Sequence, residues 1–108
     1  GLEEFSHVWV LFALHRAPRR WAPRLHPQGR EDLPLVGLFA TRTPRRPNPL
    51  AMTVVRLLGR QGTVLTVQGL DAVDGTPVLD VKPYLPVGDS VPDATTPEWV
   101  QALRRGAA

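Results

Sequence analysis

Between Arg16 and Pro34 the chain reads RAPRRWAPRLHPQGREDLP, with four prolines and five arginines and no sustained hydrophobic period. Proline has no backbone N–H and clashes with the preceding turn of a helix, so neither a helix nor a sheet ladder is expected through this stretch. A connection this long inside a compact domain is usually functional or disordered. A second breaker, Thr43 to Pro49 (TPRRPNP), follows after one short apolar run. Whatever folds around the two interruptions is built from short elements.

Ser6 to His15 (SHVWVLFALH) is nearly continuously apolar, too short for most buried helices and rich in β formers, and it reads as a central strand. Leu35 to Thr41 (LVGLFAT) reads as a second short strand whose glycine signals a bulge or close backbone approach. Leu50–Leu58 and Thr63–Leu70 alternate loosely, with Gly59 and Gly62 bracketing a turn, as in an antiparallel hairpin. Asp74-Gly75 signals a turn before Val78–Tyr84, where Asp80 and Lys82 share one face and Leu79 and Val81 the other. Thr95 and Glu98 match a capping box, with Pro97 in the first turn, Trp99 and Leu103 at helical spacing and Gly106 as a stop. The expectation is an all-β fold, a small barrel-like domain or sandwich of short, mostly antiparallel strands with a short C-terminal helix. At 108 residues, 1–108 is expected to be a single domain. The chain opens on Gly1 and enters its first apolar run within a few residues, so a missing N-terminal segment is expected.

With no cysteine in the chain, disulfides, thiolate metal sites and a cysteine nucleophile are excluded. No apolar run approaches the roughly 20 residues of a membrane helix, and the opening lacks the order of a signal peptide, so a soluble, cytoplasmic protein is expected. Neither GxGxxG nor GxxxxGK[ST] occurs, and His7, His15 and His26 are too scattered for a metal-binding repeat, so no metal site is expected. Ser6 and His7 are neighbours, and neighbours on a strand face opposite sides, so no nucleophile and base pair is expected from them.

Net charge is only +3, but the basic residues are twelve arginines and one lysine, and six arginines fall between Arg16 and Arg42. Paired guanidinium donors suit anionic oxygens, which implies nucleic acid or a nucleotide as partner; genome composition gives the same bias. Trp21 among Arg19, Arg20 and Arg24 either stacks on a base while the arginines meet phosphates or anchors the loop in the core. From Phe39 to Pro49 the prolines pre-set the backbone, so that Arg42, Arg45, Arg46 and Asn48 can converge on a ligand; the alternative is a solvated turn. His15 either donates to a ligand or caps a strand end. Asp74 fits turn chemistry, whereas Asp71 and Asp80 serve either chemistry or pairing with arginine.

Three segments, GLEEFSHVWVLFALH, VGLFATRTPRRPNPLAMTVVRL and GLDAVDGTPVLDVKPYLPVGDS, resemble the TsaA-like family, also called TrmO, from Gly1 to about Pro92. The resemblance implies a barrel-like methyltransferase, usually a homodimer, that uses S-adenosyl-L-methionine to N6-methylate threonylcarbamoyl-adenosine beside the anticodon of tRNA. It assigns cofactor binding to His15, Arg16, Arg42, Met52, Gly69, Leu70 and Asp71. Arg42 can then pair with the methionyl carboxylate, Asp71 accept from an amino or ribose group, and Met52 and Leu70 sandwich adenine. The acceptor nitrogen needs its proton polarised or removed, and the candidates are Asp80 and Tyr84, with Lys82 orienting or holding phosphate. Candidate RNA contacts are Arg19, Arg20, Trp21, Arg24, Arg45, Arg46 and Asn48. The chain has Ala51 where the family often has glycine and Arg16 where it often has glutamine. A competing reading is a non-catalytic RNA-binding β-barrel that uses the basic loop 16–30 and is indifferent to Asp80.

Overall fold

A computed structural model of the chain describes residues 1–105, and the expected helix stop at Gly106 lies outside them. The strands are β1 (His7–Ala13), β2 (Arg24–Leu25), β3 (Val36–Gly37), β4 (Leu50–Gln61), β5 (Val64–Gln68) and β6 (Val78–Pro83). The helices are α1 (Pro86–Asp89), a single irregular turn, and α2 (Glu98–Arg105). The chain divides into two compact units, one of Gly1–Arg16 with Pro49–Ser90, the other of Ala17–Asn48 with the chain from Val91 onward.

The first unit is a four-stranded antiparallel sheet in the order β5-β4-β1-β6. Its centre is the apolar run of the N-terminus, which alternates once folded: Val8, Val10 and Phe12 are buried, while Trp9 and Leu11 face the other way. Val8 stands directly across from Val55 of β4, and both are essentially inaccessible, at 0% and 1% exposure. Ala51, Leu57, Ala72 and Val81 pack around this cluster. The architecture is all-β and antiparallel, with β5 and β6 left as edges and no closed barrel among the described residues.

The β4–β5 hairpin forms with a tighter turn than the sequence suggests. Gly62 alone takes the left-handed turn conformation (φ 59°), and Gly59 stays in β4, where the register shifts after Leu57. In β6 the pairing steps from Leu11–Asp80 to Phe12–Val78, so Leu79 is the extra residue of a bulge. That is why Leu79 is exposed instead of joining Val81 on the core side. Pro83 is accommodated because β6 is an edge strand, and the ladder resumes with the Tyr84 N–H donating to the His7 carbonyl at 3.1 Å.

In the second unit Leu33 and Leu38 are buried. The His26 Nδ1–H donates to the Leu33 carbonyl (2.8 Å), and Arg30 bonds both Asp32 (2.7 Å) and the Ala102 carbonyl of α2 (3.2 Å). Three expectations change here. The proline-rich stretch holds a short strand after all, because Arg24 and Leu25 fit between Pro23 and Pro27 and pair with β3. The strand expected over Leu35–Thr41 shrinks to Val36–Gly37, since the N–H and hydroxyl of Thr41 both donate to the Leu38 carbonyl and close a 3-10 turn. The helix forms but starts at Glu98, which makes Glu98 its first residue and leaves the Thr95 capping box unformed. Thr96 precedes Pro97, and a residue before proline is steered away from helical φ/ψ. No helix among the described residues is long and apolar enough to cross a membrane.

Burial on one side of β1 and β4 and exposure on the other give a stability test. Val55→Ala is expected to destabilise by about 2 kcal/mol, and Met52→Ala, at a side chain 60% exposed, by under about 0.5 kcal/mol; urea unfolding checks both.

Candidate active site

Cross-strand register builds the outward face of the first unit in rows. Met52, Leu11 and Asp80 stand in one row, and Val54, Trp9 and Lys82 in the next. Successive rows are about 7 Å apart, two residues of strand rise. Trp9, Leu11, Met52 and Lys82, with Leu85 and Asp89 beyond β6, line a concavity of about 470 Å³. That size suits a small ligand, and the lining has the usual composition of apolar walls with a few polar groups at the rim.

At the rim the Lys82 ammonium lies 3.3 Å from Asp80 Oδ2, while Asp80 Oδ1 accepts the Val81 N–H at 2.9 Å. Both side chains are exposed, so the pair adds little stability and either partner is free to turn to a ligand. The indole N–H of Trp9 donates to Asp89 Oδ2 at 3.0 Å, and the Leu85 N–H donates to the same oxygen at 3.0 Å. The Leu85 backbone donor, and after it the Trp9 indole, hold the Asp89 carboxyl below the usual carboxylate range. The Tyr84 ring lies 6.1 Å from that of Trp9 and 6.5 Å from that of His7. Ser6 Oγ is 2.7 Å from His7 Nδ1. The alternation argument against this pair fails because Ser6 precedes β1, where no pleat fixes its direction. Among the described residues no carboxylate is hydrogen-bonded to His7, so the orienting third group of a hydrolase is not there.

The other candidates are distributed as follows. His15 and Arg16 are exposed just past β1, at the end of the sheet where the Leu14 N–H donates to the Pro49 carbonyl (2.7 Å). Gly69, Leu70 and Asp71 follow β5, and Gly69 needs to be glycine for its φ of 101°. Leu70 lines a second concavity of about 220 Å³ together with Phe12, Ala72 and Val78. Leu11 and Phe12 point to opposite faces of β1, so within one chain Met52 and Leu70 stand in separate concavities instead of facing each other across a ring.

In the second unit Arg19, Arg20, Arg24, Arg42, Arg45 and Asn48 are exposed. Trp21 is 49% exposed, which removes its alternative as a core anchor. Arg46 is turned inward on its own loop: its Nη1 donates to the carbonyls of Thr41 (2.9 Å) and Thr43 (3.3 Å), and its guanidinium lies 5.9 Å from the Phe39 ring. It shapes the loop that displays Arg42 and Arg45. No group of His, Asp and Glu suited to a metal gathers among the described residues. Sequence reasoning passed over Trp9 and Asp89. The signal for Trp9 was strand alternation inside the apolar run; nothing local pointed to Asp89, whose partner lies 80 residues away.

A family model described as the tRNA-methyltransferase O N-terminal domain matches residues 1–90. The chain belongs to this family. The tRNA (adenine(37)-N6)-methyltransferase of Escherichia coli K12 is 44% identical over 100 residues, covering 88% of this chain and 43% of that protein. A probable S-adenosyl-L-methionine-binding protein of Pyrococcus abyssi is 43% identical over 91 residues, covering 82% of this chain and 46% of the relative. The crystal structure of TrmO from Pseudomonas aeruginosa superposes with a TM-score of 0.69 at 44% identity, over 88% of this chain and 38% of that one. The chain therefore spans under half the length of these relatives.

The Asp89 contact carries a pH signature. A depressed carboxyl keeps its bond above the ordinary carboxylate range and loses it only as pH falls through the lowered value. In a Trp21→Phe, Trp99→Phe background, the change in Trp9 emission on acidification is expected to have its midpoint below the ordinary aspartate value. A midpoint at or above that value contradicts the contact.

Proposed function

We propose that this chain carries the S-adenosylmethionine-binding and catalytic core of a tRNA adenine-N6-methyltransferase. The observation that carries the reading is the shared concavity of Met52 and Lys82, one from the residues implied for the cofactor and one from those implied for catalysis. Asp80 is paired to Lys82 beside it, and Tyr84 lies against Trp9. The relatives, one a tRNA (adenine(37)-N6)-methyltransferase and one a probable S-adenosyl-L-methionine-binding protein, support the same chemistry.

Bound S-adenosylmethionine would supply a methyl group on a sulfonium sulfur, whose carbon is open to in-line displacement by the acceptor nitrogen with the thioether as leaving group. The protein's task is then alignment and charge placement, with no covalent intermediate required. The Met52 and Leu11 side of the concavity fits such a ligand, with apolar walls and polar groups at the rim. Of the residues the family resemblance implies, His15, Arg16 and Met52 would hold the cofactor, Arg42 would pair with its carboxylate, and Gly69, Leu70 and Asp71 would serve adenine and ribose. The separation of Met52 and Leu70 in one chain favours a homodimer, in which concavities of two copies can share one ligand.

Asp80 or Tyr84 takes or polarises the proton of the acceptor nitrogen, and Lys82 steadies Asp80 or meets a phosphate. Arg19, Arg20, Trp21, Arg24, Arg45 and Asn48 contact the tRNA anticodon loop, and the acceptor is threonylcarbamoyl-adenosine, modified in the cytoplasm. A non-catalytic RNA-binding barrel accounts for the arginines and leaves the Asp80–Lys82 pair beside an apolar concavity without a purpose.

Methyl transfer from labelled S-adenosylmethionine to tRNA, with the product nucleoside identified by mass, tests the reading. Asp80→Asn and Lys82→Met are each expected to lower the rate by about 100-fold while leaving the unfolding midpoint in place. Transfer undiminished in both variants contradicts it, and tRNA with and without the threonylcarbamoyl group identifies the acceptor.

A further inference from the structure

We propose that Asp89 is a positioning residue that holds the Trp9 indole as a stacking wall for the base to be methylated. The inference rests on the methyltransferase reading and assigns a purpose to two residues outside its catalytic and cofactor sets.

The segment after β6 is built to deliver one carboxylate. Pro86 fixes the backbone at the start of the turn, and Gly88 adopts a φ of 107° that side-chain-bearing residues rarely take. The Asp89 N–H donates to the Leu85 carbonyl and the Ser90 N–H to the Pro86 carbonyl, each at 3.1 Å. The Leu85 N–H then returns to Asp89 Oδ2, so the side chain is tied to the first residue of its own loop. Hydrophobic burial does not explain this turn, since Val87 at its tip is 95% exposed and Leu85 is exposed as well. What the loop gains is the position of the carboxylate, and among the described residues the one side chain that carboxylate grips is Trp9.

Trp9 lies on the outward face, half-buried, in the same row as Lys82. With its N–H bonded to Asp89 and Tyr84 against it at an interplanar angle of 52°, the indole is fixed in orientation while still lining the concavity. A fixed aromatic surface beside an ammonium suits an unstacked nucleobase next to its phosphate: the ring takes the base and Lys82 the negative charge. Pinning the ring in advance reduces the freedom lost when the base arrives.

The test uses the chain with Trp9 as its only tryptophan (Trp21→Phe, Trp99→Phe), adenosine 5′-monophosphate as the base probe and S-adenosylhomocysteine as the cofactor probe. The nucleotide is expected to quench Trp9 emission with S-adenosylhomocysteine saturating. Asp89→Ala should weaken that response by about tenfold, within the range for loss of a stacking partner. Asp89→Asn, which keeps an acceptor oxygen, should retain most of it. Calorimetric affinity for S-adenosylhomocysteine should be the same in all three proteins. Trp9→Phe, followed by equilibrium dialysis of the labelled nucleotide, should fall in step with Asp89→Ala. An unchanged nucleotide response in Asp89→Ala overturns the proposal, and so does quenching that saturating S-adenosylhomocysteine abolishes, because the wall would then serve the cofactor. A parent chain that takes up no S-adenosylhomocysteine overturns the methyltransferase reading itself, and calorimetry reveals that before any variant is made.

Discussion

Packing of Val8 against Val55 fixes the pairing of β1 with β4, and every outward residue of the sheet inherits its position from that contact. Side chains alternate with a period of two, so slipping β1 by one residue would bury Trp9 and Leu11 and expose Val8, Val10 and Phe12. The same register sets Met52 beside Leu11 and Lys82 beside Trp9. The core thus does more than stabilise the unit: it decides which side chains are available for chemistry.

The strands of the first unit were legible because their evidence is local. The apolar run of β1, the alternation in β4 and β5 and the aspartate-glycine turn before β6 each carry their own signal within a few residues. What escaped was what depends on partners elsewhere. The β6 bulge that exposes Leu79 arises only against β1, and the helical turn at Leu38 is decided by Thr41 closing on a backbone carbonyl. The missing capping box was readable in principle, because Thr96 before Pro97 argues against a helix starting there.

The candidate site divides along the same line. Asp80 and Lys82 could be placed on one face from their spacing, and they form an ion pair. The family motifs named Met52 but could not show its wall-mates, which depend on strand pairing. The arginine-rich loop misled in one respect. Composition treats Arg42, Arg45 and Arg46 as equivalents, whereas carbonyl geometry commits Arg46 to shaping the loop and leaves the other two exposed. Trp9 and Asp89, distant in sequence and joined by one hydrogen bond, show how a turn with little apolar burial of its own can bear on the site.

The central claim is that the outward face of the sheet receives the cofactor. The most direct measurement is the methyl NMR spectrum of the chain on titration with S-adenosylhomocysteine. The account predicts that the Met52 and Leu11 methyl signals move with saturable dependence on ligand while those of Val8 and Val55 stay in place. Saturable binding that leaves Met52 and Leu11 unmoved would contradict it.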